Sequence, residues 1–201
     1  MKQIFIPFVL LILFSFTTNN VSLTKSERKF ALEQLKNSKI HLQEAIKGLS
    51  TTQLNFKATP ESWSIAECTE HIAISENMLY GMFEGTLKQA ADPAKRSDVK
   101  MTDEQVLALI TNRTQKVKTQ EPFEPTGKFG SHDGTMKEFN TKRDEHIQYV
   151  KKTKDDLRNR YQQLPFGTID SYPLILFIAG HTERHIKQIE EVKANANFPK
   201  N

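Results

Sequence analysis

At 201 residues the chain can bury a substantial core within one domain. Only 8 Gly and 8 Pro, a charged fraction of 26% and abundant Lys, Glu, Gln and Leu favour an α-rich fold. The net charge of +4 is spread among acids rather than gathered on a stripe, which excludes a nucleic-acid partner, and the single cysteine, Cys68, excludes an internal disulfide or a Cys-rich zinc site.

Residues 1–22 read as a secretion signal or N-terminal anchor. Lys2 is followed by an apolar run from Ile4 to Phe14, too short for a membrane span, with Ser15-Phe16-Thr17 as a small-x-small cleavage site. No cysteine lies there to be lipidated. The expectation is an exported protein of the periplasm or cell envelope, touching a membrane only through this segment.

A helical bundle is expected over 23–195, followed by a frayed tail at 196–201. The first helix, 24–49, opens on the capping box Thr24-Lys-Ser-Glu27 and carries Ala31, Leu35, Leu42 and Ile46 on one face. His41 lies at the edge of that stripe and reads as solvated. Ser50 to Pro60 reads as a polar loop. The second helix starts at a stronger box, Ser64-Ile-Ala-Glu67, with Trp63 placed to staple against Cys68, and runs to about Lys88. Ile65, Cys68, Ile72, Leu79 and Phe83 line its buried face, and His71 sits about 60° from the centre of that face.

Thr102 or Asp103 caps a shorter third helix reaching Val117. Residues 120–134, with two Pro and three Gly, form the longest irregular segment, suited to a lid or binding loop, and carry His132 and Asp133. The fourth helix is expected from Thr135 to Tyr161, with His146 near the centre of its apolar face. The basic run Lys142 to Lys154 reads as a solvated face.

The last helix, 172–192, has Ser171 as its cap and Pro173 in its first turn. Leu174, Ile178, Ile189 and Val192 form a core-facing stripe. His181 and His185 lie within that stripe, about 60° and 20° from Ile178. Two imidazoles one turn apart on a buried face need partners, and a shared metal ion satisfies both. The segment HTERH is not a zincin motif, because Thr182 follows the first His and Glu183 points to the other side of the helix. From residue patterns alone, His71 and His146 both compete for the role of third ligand.

The two halves Glu61-Ser-Trp63-Ser64-Ile-Ala-Glu67-x-x-Glu70-His71-Ile72 and Ala179-Gly-His181-x-x-x-His185-Ile-x-Gln188-Ile189 together resemble the DinB/YfiT-like superfamily. The resemblance covers residues 25–193. It implies an all-α fold, an antiparallel four-helix bundle of the DinB/YfiT type with one additional shorter helix. It also implies a divalent transition metal (Zn, Ni, Co or Fe) held by His71, His181 and His185, and so places His71 ahead of His146. The implied activity is that of a metal-dependent enzyme acting on a small molecule, a hydrolase or a transferase using thiols such as bacillithiol or mycothiol. The alternative is a non-catalytic module of the cell envelope that binds a metal or small ligand. Homodimerisation is left open. Glu67 and Gln188 are candidates to hold the outward nitrogens of the ligand rings, and Glu67 and Glu70 are the nearest carboxylates for base catalysis.

Overall fold

The computed structural model describes residues 21–114 and 117–200. The expected signal or anchor therefore lies, except for its last two residues, outside the described residues. In chain order the elements are α1 (Lys25–Ile46), the short α2 (Thr51–Leu54), α3 (Ile65–Leu87), α4 (Asp103–Thr111), α5 (His132–Lys152), β1 (Tyr161–Leu164), β2 (Gly167–Asp170) and α6 (Ser171–Lys193). Short 3₁₀ segments occur at Pro93–Asp98 and Glu121–Phe123.

The helices start where side-chain oxygens meet orphan amides. Thr24 and Ser64 both form the expected capping boxes, with Glu27 and Glu67 reaching back to the cap amides at 2.7 Å. On α1 the buried residues Ala31, Leu35, Ser38, Leu42 and Ala45 recur at alternating steps of four and three, the seam of a bundle helix.

Four long helices form a ring in the order α1, α6, α3, α5. Side-chain contacts fix their directions. Tyr172 bonds the Glu27 carbonyl, His41 pairs with Glu183 and Lys193 reaches Ala45, so α6 runs parallel to α1. Ser171 meets Thr86 while His181 and His185 meet His71, so α6 is antiparallel to α3. Likewise α5 is parallel to α3 and antiparallel to α1. Two helices point each way, and every helix has one neighbour of each sense. Returning α5 parallel to α3 requires a long connection, and residues 88–131 supply it.

The shorter helix α4 lies outside the ring against α6. Gly180 makes this close approach feasible: a Cβ there would collide with Ile110 and stand 2.9 Å from Leu107 Cδ1. With α4 on its outer side, α6 is buried almost all round from Ser171 to Ile186, more completely than the expected single stripe.

Several boundaries differ from expectation. Helix α5 stops at Lys152 rather than at Tyr161, because Thr153, Asp155 and Asp156 turn their side-chain oxygens onto nearby amides and hydroxyls. An antiparallel hairpin, β1 paired with β2, occupies the following stretch. Helix α4 ends at Thr111, where Asn112 Oδ1 accepts the Thr114 amide, so Val117 is exposed rather than core. The cap of α6 is Asp170, one residue before Ser171. Residues 51–54, expected as loop, form α2 under the cap Ser50. Within the tail, Phe198 packs edge-on against Phe56, and the Pro199 carbonyl accepts from Gln53.

The largest correction concerns the basic run on α5. Arg143, expected on a solvated face, is wholly buried in the middle of the ring. Its five N–H groups each meet an acceptor: Glu76 twice at 2.7 Å, the Leu35 carbonyl, Ser38 Oγ and Thr182 Oγ1. One side chain of α5 thus ties α1, α3 and α6 together. Burial pushes the Glu76 carboxyl up, but the Arg143 charge and the bonds from Arg143 and His146 outweigh it, and the group is held below its ordinary range.

Candidate metal centre

His71 sits on α3, and His181 and His185 lie one turn apart on the antiparallel α6. The ring packing brings all three imidazoles together. His71 Nε2 is 3.3 Å from His181 Nε2 and 3.1 Å from His185 Nε2. His71 and His185 are buried, and His181 is the least buried of the three. Among the described residues this trio is the one group of three or more His, Cys, Asp or Glu placed to hold a metal ion.

The outward nitrogens decide what the inward ones can do. His71 Nδ1 lies 2.7 Å from the Phe123 carbonyl, which can only accept, so Nδ1 carries the proton and neutral Nε2 presents a lone pair. His185 Nδ1 lies 2.9 Å from Gln188 Oε1. That Gln188 atom also accepts from Arg113, a pure donor, so it is the amide oxygen, and His185 Nε2 presents a lone pair as well. The 3.1 Å contact between these two nitrogens is therefore not a hydrogen bond. His181 can donate to His71, but the His71–His185 pair remains lone pair against lone pair.

All three rings are held neutral. Burial, then the neighbouring histidines, pushes His181 well below the ordinary imidazole range. Burial and the His71 ring push His185 down to about 3, against the raising effect of Gln188. Burial lowers His71 in the same direction, opposed by the Phe123 bond. Protonation thus does not relieve the contact near neutral pH.

A divalent metal fits this donor set. Ligand nitrogens at ~2.0–2.1 Å from a tetrahedral ion stand about 3.3 Å apart, close to the two spacings from His71, and all three ligand atoms lie within 4.8 Å of one another. Three neutral nitrogens are a donor set that suits Zn²⁺, Ni²⁺, Co²⁺ or Fe²⁺.

Aromatic rings wall the cluster. Rather than serving only as a staple over Cys68, Trp63 stands 4.8 Å from the His71 ring and stacks at 6.2 Å on His185. Phe177 lies parallel to His181 at 6.3 Å, and Phe166 of the hairpin turn stacks on Phe177.

The remaining candidates fall elsewhere. His146 is a core imidazole, stacked on Tyr80 at 3.6 Å and bonded to Glu76. His41 pairs with Glu183 at the surface. His132 opens α5, meets Thr69, and lines a separate cleft of 510 Å³ with Lys57, Glu67 and Glu70, which none of the three clustered histidines lines. Gln188 holds His185 as expected from its spacing. Glu67 does not hold His71, because it is engaged by its own cap and by Lys57.

Nor does Glu70 serve as a base. Its carboxylate accepts the amides of Thr126, Gly127 and Lys128 at 2.6–3.3 Å. Consecutive residues Glu70 and His71 thereby both grip the irregular segment, which acts as a fixed cover. Cys68 is no nucleophile either, since burial pushes its thiol up to about 12. Sequence reasoning missed the Phe123 carbonyl, for which no residue-type signal exists, and Arg113, which lies far from any ligand in the chain.

Comparison with known proteins agrees with this architecture. The DinB superfamily profile matches residues 34–189. YuaE of Bacillus subtilis (strain 168), described as uncharacterized, is 28% identical over 149 residues, 74% of this chain and 88% of YuaE. The solved structure of YfiT from Bacillus subtilis, described as a probable metal-dependent hydrolase with an unusual four-helix bundle topology, superposes with a TM-score of 0.59 at 14% identity. That superposition covers 89% of this chain and 92% of YfiT, and at such identity it bears on the fold. The fold and the profile match together place the chain: it belongs to the DinB superfamily.

Proposed function

We propose that this protein is a metal-dependent enzyme in which His71, His181 and His185 hold one divalent transition metal, and that it hydrolyses a small-molecule substrate. The observation that carries the reading is the 3.1 Å approach of two imidazole nitrogens whose outward neighbours leave both as lone pairs. Such a contact between acceptors is unfavourable unless a cation stands between them.

A metal bound there supplies Lewis acidity, polarising an electrophile or lowering the pKa of a nucleophile that shares it. The protein's own residues set the conditions. Burial keeps the three imidazoles neutral and available as ligands. Phe123 and Gln188 fix the orientation of two of them. Trp63 beside His71 and His185 and Phe177 beside His181 flank the cluster and limit the access of bulk water, and substrate approach is read on the side of His181, the least buried of the three. Glu67 and Glu70 are both engaged in other bonds, so neither is free to accept the nucleophile's proton, and its activation would rest on the Lewis acidity that a bound metal would supply.

Water is favoured over a low-molecular-weight thiol as nucleophile because residues 1–22 read as an export segment, and cytosolic thiols are scarce outside the membrane. The family resemblance supports thiol transfer as the second reading. The test is metal analysis of untagged protein, followed by a panel of activated esters with and without added thiols. About one equivalent of metal and thiol-independent turnover, both lost in His181→Ala, are expected. Turnover that requires a thiol replaces hydrolysis by transfer. Full metal occupancy without turnover on either arm of the panel leaves a binding module, and less than a tenth of an equivalent of metal overturns the reading.

A further inference from the structure

Arg113 lies two residues beyond the end of α4, in the connection between α3 and α5, and its surroundings on α6 are unusually ordered. Its Nε and Nη2 donate to the two carboxylate oxygens of Glu191 at 2.9 and 2.7 Å, a bidentate fork that fixes the plane of the guanidinium. The remaining arm, Nη1, donates to Gln188 Oε1 at 3.1 Å. The same oxygen accepts from His185 Nδ1 at 2.9 Å. A chain of four side chains thus runs from the protein surface to a nitrogen of the histidine cluster.

The backbone around Arg113 is held by the same helix face. Lys187 Nζ donates to the Thr111 carbonyl at 2.9 Å, and the Arg184 guanidinium donates to the Asn112 carbonyl. These carbonyls are among those that the last turn of α4 leaves without helical partners. Residues 184, 187, 188 and 191 recur at helical steps of three, one and three, so one stripe of α6 receives the whole end of α4. Gly180, one turn earlier on α6, lets α4 approach closely enough for this to happen.

The chemical consequence follows from the two-sided nature of an amide. Gln188 can present either its oxygen or its NH₂ to His185. If the oxygen faces the ring, Nδ1 holds the proton and Nε2 is free to bind a metal. If the NH₂ faces it, Nδ1 becomes the acceptor, the proton moves to Nε2, and the neutral ring is blocked as a ligand. Arg113 has no acceptor and tolerates only the oxygen. We propose that Arg113 is a positioning residue of the metal centre, selecting through Gln188 the tautomer of His185 that can coordinate. This rests on the reading of the three histidines as a metal site.

The test uses the full-length protein stripped of metal and titrated with Zn²⁺ against a chromophoric chelator, with Co²⁺ absorption as an independent signature of coordination. Metal-free melting is recorded in parallel. Arg113→Met is expected to weaken Zn²⁺ binding measurably, by no more than the roughly tenfold that loss of Gln188, the partner behind the histidine itself, would bring. The decisive variant is Arg113→Met with Gln188→Glu. A carboxylate offers an acceptor whichever way it turns, so this pair is expected to regain wild-type affinity and the wild-type Co²⁺ spectrum. An anchoring role for Arg113 on α4 alone would not be rescued in this way. Gln188→Met is expected to lose at least as much affinity as Arg113→Met, and adding Arg113→Met to it is expected to cause no further loss.

Unchanged affinity in Arg113→Met, or no rescue by Gln188→Glu, overturns the proposal while leaving the metal site standing. A wild-type protein that binds neither ion removes the metal site itself. Should Arg113→Met fail to fold, Gln188→Met and Gln188→Glu in the wild-type background decide the matter: equal affinities for those two overturn the tautomer mechanism, and a selective loss in Gln188→Met supports it.

Discussion

Two buried polar clusters lie side by side in this bundle, and they are balanced in opposite ways. One surrounds Arg143 and the other is the histidine trio. They are neighbours on both helices that they share: Glu76 follows His71 by five residues on α3, about 7.5 Å along the axis, and Thr182 follows His181 directly on α6. Around Arg143, five donors meet five acceptors, and His146 adds a further bond to Glu76. In the trio, acceptors face one another. Burial alone therefore does not distinguish a structural polar group from a functional one. The balance of donors and acceptors does, since a cluster complete in itself holds helices together, whereas one with surplus lone pairs is built for a cation from outside.

The largest effect expected from this contrast is on the structural side. Glu76→Ala strands the Arg143 charge in the interior, and breaking one partner of a buried pair costs roughly 3–5 kcal/mol. Urea unfolding is expected to show that loss whether or not metal is present. A loss below about 1 kcal/mol would mean that water reaches Arg143 and that the cluster is not the closed unit described above.

The histidine side is expected to show the reverse dependence. At a free metal concentration about a thousandfold above Kd, binding to the folded state adds roughly 4 kcal/mol of stability. His71→Ala is expected to abolish this increment, seen as a melting curve indifferent to added Zn²⁺ or to a chelator. Without metal, the same variant is expected to lose only the bond to the Phe123 carbonyl and the cost of the cavity, offset in part because it removes one of two opposed lone pairs. A His71→Ala protein that unfolds without metal, while wild type stays folded, would show that the trio is a structural cluster like its neighbour.

Acid separates the clusters by a smaller margin. Glu76 has a folded-state pKa below its unfolded value of about 4.3, so its contribution to stability is present above that value and is lost as pH falls through the folded-state pKa. The stability difference between wild type and Glu76→Gln is therefore expected to be constant near neutrality and to shrink in acid. Urea unfolding of both proteins across that range checks it, and a difference that widens as pH falls would reverse the assigned direction.

What could be read from the sequence divides along the same line. Helices α1 and α3 were legible because capping boxes and apolar spacing are local, and the histidines on α6 because their angles placed them in an apolar stripe. His71 became the third ligand only through the family resemblance, since its angle alone was no better than that of His146. Arg143 was not legible: a lone Arg among Lys, Asp and Glu looks solvated, and its burial depends on Glu76, Ser38 and Thr182, which are distant in the chain. The hairpin was missed because Gln162-Gln163-Leu164-Pro165-Phe166 lacks the alternation that marks a strand, and the strands lean on distant partners, α6 and the turn at Pro93–Asp98 with its Val99–Thr168 bridge. The cover over His71 was foreseen as a loop, but the atom that matters there is a backbone carbonyl, which every residue type possesses.

The smallest predicted effect concerns that cover and asks whether a site needs its frame as well as its ligands. Glu70 accepts three consecutive amides, two on Oε1 and one on Oε2. Glu70→Gln keeps an oxygen for two of them but turns an NH₂ toward the third and removes the charge from all three. The expected cost is about 1–2 kcal/mol, the range for hydrogen bonds to a charged group less what the amide retains. Because residues 126–128 carry the segment that brings the Phe123 carbonyl to His71, metal affinity is expected to fall by less than the roughly tenfold loss of a direct ring partner. Limited proteolysis is expected to cleave within 121–131 faster in this variant, and added metal is expected to restore part of the protection by holding His71 in place. Faster cleavage with unchanged metal affinity would show that the cover and the ligand are independent, and that Glu70 belongs with Arg143 among the residues that only hold the fold.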